Sequence, residues 1–236
     1  MIDRELLASF LQDHFPEAQT DRLVQGFARY EELLTEWNGK MNLTAIKDGR
    51  EITVKHFIDS LTPALTGLVP ETGTLADVGS GAGFPGVPLA MLFPELNALL
   101  VDSLGKRVRF LQELTAALGV AAECVHARAE ELGHTSHREQ CDVVTARAVA
   151  NLSVLCEYCL PLAKVGGVFL AMKGPEVEEE LESAGNALEL LGGKVGKVYP
   201  FTLPDGSRRN IIAVEKIAPT PKNYPRDAKK MKNRPL

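Results

Sequence analysis

The chain has 236 residues, 45% of them hydrophobic and 24% charged, with a formal net charge of −5. That length suits one full α/β domain plus a smaller appendage, and the composition excludes a disordered or fibrous chain. No apolar run reaches the roughly 18 to 20 residues that a membrane-spanning helix needs, and the acidic start MIDRELLASF lacks the basic and apolar regions of a signal peptide, so a cytoplasmic protein is expected.

Residues 1–68 read as a helical N-terminal cap. Leu23, Val24, Phe27, Tyr30, Leu33, Leu34 and Trp37 recur at three- and four-residue spacing and make one apolar stripe, which Asn38-Gly39 ends. A second short helix is expected over 51–67. The pattern changes at Pro70 and Gly73. From there, short apolar runs alternate with helix-length segments: 74–78, 97–102, 122–126, 141–146 and 168–172, then weaker runs near 194–200 and 209–215. Strands alternating with helices imply crossover connections and a mostly parallel sheet, so residues 69–218 read as a Rossmann-like α/β domain. Cys156 and Cys159 form a C-x-x-C within NLSVLCEYCLPLA, with no second ligand pair. This segment reads as one apolar helix, so the cysteines are expected as core residues and no metal is expected.

Residues 219–236 form a basic tail without hydrophobic period. Lys222, Arg226, Lys229, Lys230, Lys232 and Arg234 face one acid, Asp227, so the tail carries +5 and the rest of the chain −10. A basic tail on an acidic body suits either a polyanion contact on one surface or a solvated segment that aids solubility.

The segment Asp77-Val78-Gly79-Ser80-Gly81-Ala82-Gly83-Phe84 follows the first strand and opens a helix. Glycines there let the backbone turn sharply and approach a ligand, with a helix N-terminus behind. A dinucleotide fingerprint places its third glycine at the sixth position, which here is Phe84. The D-x-G-x-G-x-G form instead resembles the first motif of Rossmann-like S-adenosylmethionine methyltransferases. On this reading Asp77, Gly79, Gly81, Gly83 and Phe84 bind cofactor. Asp102 ends the second strand, 19 residues after Gly83, where a carboxylate accepts from ribose hydroxyls, or alternatively caps the helix starting near Leu104. Ala129-Glu130 follows the third strand, a loop that in such a fold lies beside the adenine, where a backbone N–H and a carboxylate read the base edge; Glu130 reads equally as an exposed first-turn helix acid.

After the fourth strand stands Thr145-Ala146-Arg147-Ala148-Val149. The (Asp/Asn/Ser)-Pro-Pro-aromatic sequence of exocyclic amino methylation, a Pro-Cys nucleophile and clustered carboxylates are all missing from this place. Guanine N7 carries a lone pair and no proton, so it needs alignment and exclusion of water rather than a general base. Arg147 is the expected catalytic residue, placed to hold the cofactor carboxylate, guanine O6 or a phosphate.

Trp37-Asn38, Asn42-Leu43-Thr44-Ala45-Ile46 and Lys55-His56-Phe57-Ile58-Asp59-Ser60-Leu61 resemble the N-terminal signature of the bacterial 16S rRNA guanine-N7 methyltransferases, first named glucose-inhibited division protein B. The likeness continues through Pro85-Gly86-Val87-Pro88-Leu89, Arg128-Ala129-Glu130, Ala146-Arg147-Ala148-Val149-Ala150, Lys173-Gly174 and Arg209-Asn210-Ile211-Ile212 to Tyr224-Pro225-Arg226. Asp227–Met231 departs from it, lacking the Gly and Pro of the family tail. The resemblance implies a class I methyltransferase fold, S-adenosyl-L-methionine as cofactor, and 16S rRNA or the small ribosomal subunit as partner. It implies cofactor contacts at Gly79, Phe84, Ala129, Glu130 and Arg147. It also implies an RNA-facing surface including Lys55, His56, Asp59, Lys173, Arg208, Arg209 and Arg226. Phe57, Asp59 and Tyr158 are candidate neighbours of the cationic product base. A monomer is expected. The competing readings are a nicotinamide-dependent oxidoreductase, a non-catalytic rRNA-binding assembly factor, and a methyltransferase acting on another RNA or a small molecule.

Overall fold

The computed structural model describes residues 1–236, the side chain of Lys232 excepted; that member of the basic tail lies outside the described residues. The chain begins with helices. Helix α1 (Arg4–His14) starts at Asp3, whose carboxylate accepts the Leu6 N–H at 3.0 Å. Helix α2 (Thr20–Asn38) buries Leu23, Phe27, Tyr30, Leu33 and Leu34, the stripe its spacing predicts.

The expected second helix is one helical path of changing pitch. It runs through α3 (Gly49–Ile52), a π-helical turn (Thr53–Ile58), α4 (Asp59–Leu61) and a 3₁₀ stretch (Thr62–Thr66). Apolar spacing reports the path but not the pitch. The widened turn carries Lys55 and His56, and Asp59 directly follows it; such turns recur at functional positions.

All seven expected strands form: β1 (Gly73–Val78), β2 (Leu96–Asp102), β3 (Ala122–His126), β4 (Cys141–Arg147), β5 (Ala163–Lys173), β6 (Gly193–Thr202) and β7 (Arg208–Lys216). They pair as one sheet in the order β3-β2-β1-β4-β5-β7-β6. The first five are parallel, and β7 runs antiparallel between β5 and β6. The strand order reverses between β1 and β4. The crevice outside their carboxyl ends is therefore where this architecture binds ligands.

Alternate residues feed opposite faces of the sheet. Ala98 and Leu100 of β2 pack with the N-terminal helices, α5 (Gly86–Leu92) and α6 (Gly105–Leu118). Leu99 and Val101 join the other core, with α8 (Leu152–Cys159) and α10 (Gly185–Leu191). Short helices α7 (Ala129–Leu132) and α9 (Glu178–Ser183) flank that side. Cys156 and Cys159 are buried on α8, and burial pushes the Cys156 thiol up to about 12.

The tail is docked rather than solvated. Arg226 donates to the Glu157 carboxylate through Nε at 2.8 Å and Nη2 at 2.7 Å, and its backbone N–H adds a bond of 2.7 Å. Arg138 gathers the carbonyls of Thr220, Pro221 and Tyr224. Helix α11 (Ala228–Asn233) then inserts Met231, which is buried. Polar anchors and scattered apolar side chains, Tyr224, Met231 and Leu236 among them, hold the segment, and their irregular spacing makes no hydrophobic period.

Candidate active site

Two concavities open at the carboxyl ends of the central strands, and the segment 148–150 borders both. The narrower one, about 130 Å³, is lined by Gly79, Asp102, Ala129, Glu130, Val149 and Tyr158. The wider one, about 470 Å³, includes Lys55, His56, Asp59, Arg147, Lys173 and Arg209 among its lining residues.

The glycine loop shapes the narrow crevice. Gly79 has φ +74°, and a side chain there would lie 2.6 Å from Val149 Cγ2. Only glycine both adopts that backbone and leaves the crevice open. Gly83, at φ +95°, lies against the Tyr30 hydroxyl, which itself donates to the Ala82 carbonyl at 2.6 Å. Helix α2 thus pins the loop from behind. The Gly81 N–H reaches Asp102 Oδ2 at 3.0 Å, and Asp102 Oδ1 accepts the Leu104 N–H at 2.8 Å. Asp102 thus closes the turn ahead of α6 and forms a wall of the crevice. With Glu130 it gives that wall two carboxylates, which Arg107 at 3.4 Å and Arg128 at 3.8 Å partly offset.

The wide cavity is built on an ion pair. Asp59 Oδ2 accepts from Arg147 Nη1 at 2.7 Å, and the same nitrogen donates to the Lys55 carbonyl at 3.1 Å. Arg209 Nε lies 3.2 Å from Asp59 Oδ1. The Arg147 guanidinium sits 5.0 Å from the centre of the Phe84 ring, a cation–π distance. Phe84 also stacks on His56 and Tyr30, with ring centres 4.7 and 5.2 Å away. The His56 Nδ1 faces the Lys55 carbonyl, so it carries the proton, and Nε2 accepts from the Thr44 hydroxyl at 2.7 Å. Burial, with Arg147 nearby, pushes the imidazole down to about 4, so it is neutral at pH 7. Both of its nitrogens are engaged.

Lys173 closes the cavity from the side. Its ammonium donates to the Ala150 carbonyl at 2.8 Å and pairs with Glu180 at 2.6 Å. Glu180 also accepts the Leu152 N–H at 2.7 Å. Just ahead of these anchors Ala148 holds a left-handed φ of +56°, a strained value for a residue with a Cβ.

A family model described as GidB, rRNA small subunit methyltransferase G, matches residues 23–212. The chain belongs to this family.

Two relatives carry the name ribosomal RNA small subunit methyltransferase G. The one from Exiguobacterium sp. is 53% identical across 100% of both chains, and the one from Alkaliphilus metalliredigens is 50% identical across 87% of both. Among solved structures, M. jannaschii TYW2 in complex with AdoMet superposes with a TM-score of 0.52 at 15% identity, over 64% of this chain and 72% of that one. The antibiotic-resistance methyltransferase Kmr superposes with a TM-score of 0.51 at 20% identity, over 66% and 93%. At such identities the superpositions speak for the fold alone, that of the class I methyltransferases.

Several expected site residues sit elsewhere than the sequence suggests. Asp77 is fully buried and holds the loop rather than facing the crevice. Its Oδ2 accepts the Gly86 N–H at 3.0 Å and its Oδ1 the Thr145 hydroxyl at 3.2 Å. Gly83 and the Phe84 ring back the loop against α2 and the π-turn instead of lining either concavity. Phe57 is a core residue beneath Phe84 and faces no ligand space. Arg208 is exposed at the start of β7, outside both linings, and Arg226 is half-buried, paired with Glu157 and likewise outside both linings. Asp59 lines the wide cavity but is buried and paired rather than exposed. Sequence reasoning passed over Tyr30, Thr44, Glu180 and the structural role of Glu157. Each acts through hydrogen bonds to residues distant in sequence, which no local pattern encodes.

Burial raises the Asp77 carboxyl to about 6, above its ordinary 3.8. A raised carboxyl stabilises the fold fully below the unfolded value and loses that contribution as pH climbs through the folded one. Wild type should therefore lose about 3 kcal/mol relative to Asp77→Asn between pH 4 and 6, as read from chemical denaturation at each pH. For Glu180→Ala, calorimetry should show cofactor binding about tenfold weaker, since one charged anchor of the segment carrying Val149 is gone; Glu180→Gln, which keeps the bond to Leu152, should lose less.

Proposed function

We propose that the chain transfers the methyl group of S-adenosylmethionine to N7 of a guanine in small-subunit rRNA. The observation that carries this is the pair of adjoining concavities at the strand switch point, one acidic and narrow, the other lined by cations and opened toward solvent. The narrow crevice fits the cofactor. Glycine backbone at Gly79 lets a ligand approach, Asp102 and Ala129-Glu130 offer acceptors and a backbone edge for ribose and adenine, and acidic walls tolerate a cation. When bound, S-adenosylmethionine supplies an electrophilic methyl on a positively charged sulfur.

The residues of the wide cavity do the rest. Arg147 presents its guanidinium in the wide cavity, next in sequence to the segment that borders both spaces, and is held by Asp59, the Lys55 carbonyl and the Phe84 face. Lys55, Lys173 and Arg209 provide cations for phosphates, and the side chain of Lys55 remains partly exposed. His56 holds hydrogen bonds at both ring nitrogens, and Asp59 is committed to Arg147 through Oδ2. An acceptor that needs no base, such as N7, suits this arrangement.

Two measurements test the reading together. The protein should bind S-adenosylmethionine and not NAD at equilibrium, and should pass labelled methyl to unmethylated small subunits. Cofactor binding without transfer to RNA would favour a non-catalytic assembly factor or a small-molecule acceptor.

A further inference from the structure

Among the described residues, two buried side-chain polar atoms have no hydrogen-bond partner: Asp59 Oδ1 and Ser60 Oγ. The first belongs to a carboxylate that lines the wide cavity. Arg209 Nε lies 3.2 Å from it but is not aligned to donate. A buried carboxylate oxygen left open is costly, and such atoms call for a donor. Resting on the reading of that cavity as the acceptor-base site, we propose that Asp59 selects guanine by accepting a hydrogen bond from its N1–H.

The chemistry is complementary. Arg147 donates and Asp59 accepts, side by side, 2.7 Å apart. Guanine shows the matching order along one edge: O6 accepts, N1–H donates, and the 2-amino group donates. Adenine shows the reverse, with N6 donating and N1 accepting, so its N1 lone pair would face a carboxylate. The N1 edge lies across the ring system from N7, which leaves N7 free for the methyl. Arg209, with its side chain 29% exposed, covers Oδ1 and is free to swing toward a phosphate as the base enters. The neutral His56 ring, stacked on Phe84, adds a flat polarisable wall without a competing charge. Once methylated, the base is cationic, and the same carboxylate offsets that charge.

The test compares small subunits carrying guanine at the modified position with subunits carrying adenine there. Wild type should strongly prefer guanine. Asp59→Asn turns the acceptor into a group that also donates to adenine N1, and should lower the guanine-to-adenine ratio of kcat/KM about tenfold to a hundredfold. Its affinity for S-adenosylmethionine should stay near wild type. For a variant too slow to turn over, the same ratio is read from competition of the two subunits for binding. If Asp59→Asn fails to accumulate, Asp59→Glu, which keeps the charge but displaces the oxygen, should lower the ratio too. An unchanged ratio in a variant that binds cofactor normally overturns the proposal and leaves the proposed function standing. Failure of wild type to methylate guanine-bearing subunits would bring down the functional reading itself.

Discussion

Arg147→Ala should lower kcat/KM on small subunits by about a hundredfold or more, as misplacing groups by about 1 Å at a reacting centre already does. Three contacts fix the guanidinium: Asp59 Oδ2, the Lys55 carbonyl and the face of Phe84. Truncation removes all three and leaves Asp59, 4% exposed, with only the misaligned Arg209 beside it. Stripping one partner from a buried pair costs about 3 to 5 kcal/mol, so a lower melting temperature should accompany the loss of activity. Arg147→Lys separates the two effects. A lysine ammonium restores a charge beside Asp59 but has no plane to lay against Phe84 and no fork to share. It should recover stability more than activity. Equal recovery of both would mean that Arg147 only neutralises Asp59.

The second large effect lies at the tail. Arg226→Ala should destabilise the protein by about 3 kcal/mol, because Glu157 stays buried without its cation. Glu157 is 1% exposed, and Arg226 makes two side-chain bonds to it. A loss of that size should lower the melting temperature by about 6 to 12 °C in a protein of this length. Glu157→Gln combined with Arg226→Ala should be milder than Arg226→Ala alone, since no unpaired charge remains. Activity per folded molecule should change little, because Arg226 lines neither concavity. Deleting residues 219–236 would likewise strip Met231 and the carbonyls that Arg138 holds, so such a deletion reports on folding as well as on RNA contact.

These two effects mark where the sequence was readable. The seven strands were legible because each is a short apolar run bounded by turn residues, and α2 because its stripe holds helical spacing. The glycine loop was legible because Gly79, Gly81 and Gly83 stand between a strand and a helix. The acidic crevice wall was legible too, because Asp102 and Glu130 both follow strands. The contents of the wide cavity were named through family likeness, not through any period. Lys55, His56 and Asp59 reach one space from a helical path that widens into a π-turn there, and pitch leaves no mark in apolar spacing. The tail was legible only in part for a related reason: Lys222, Lys229, Lys230 and Arg234 are exposed, but its docking was hidden. Its charge suggested solvent or nucleic acid, yet Arg226 finds its partner 69 residues away at Glu157. A buried ion pair between distant positions looks, in sequence, like two ordinary surface charges. Asp77 shows the same limit, since a carboxylate before a glycine loop reads as a ligand contact until burial is seen.

The central claim is the acceptor atom. Small-subunit rRNA incubated with the protein and S-adenosylmethionine should be treated with borohydride and aniline, which cleave the chain at 7-methylguanine. The account predicts cleavage at one guanine, dependent on enzyme and cofactor and lost in Arg147→Ala. Methyl incorporation without cleavage, or label on an exocyclic amine or a ribose oxygen, would contradict it.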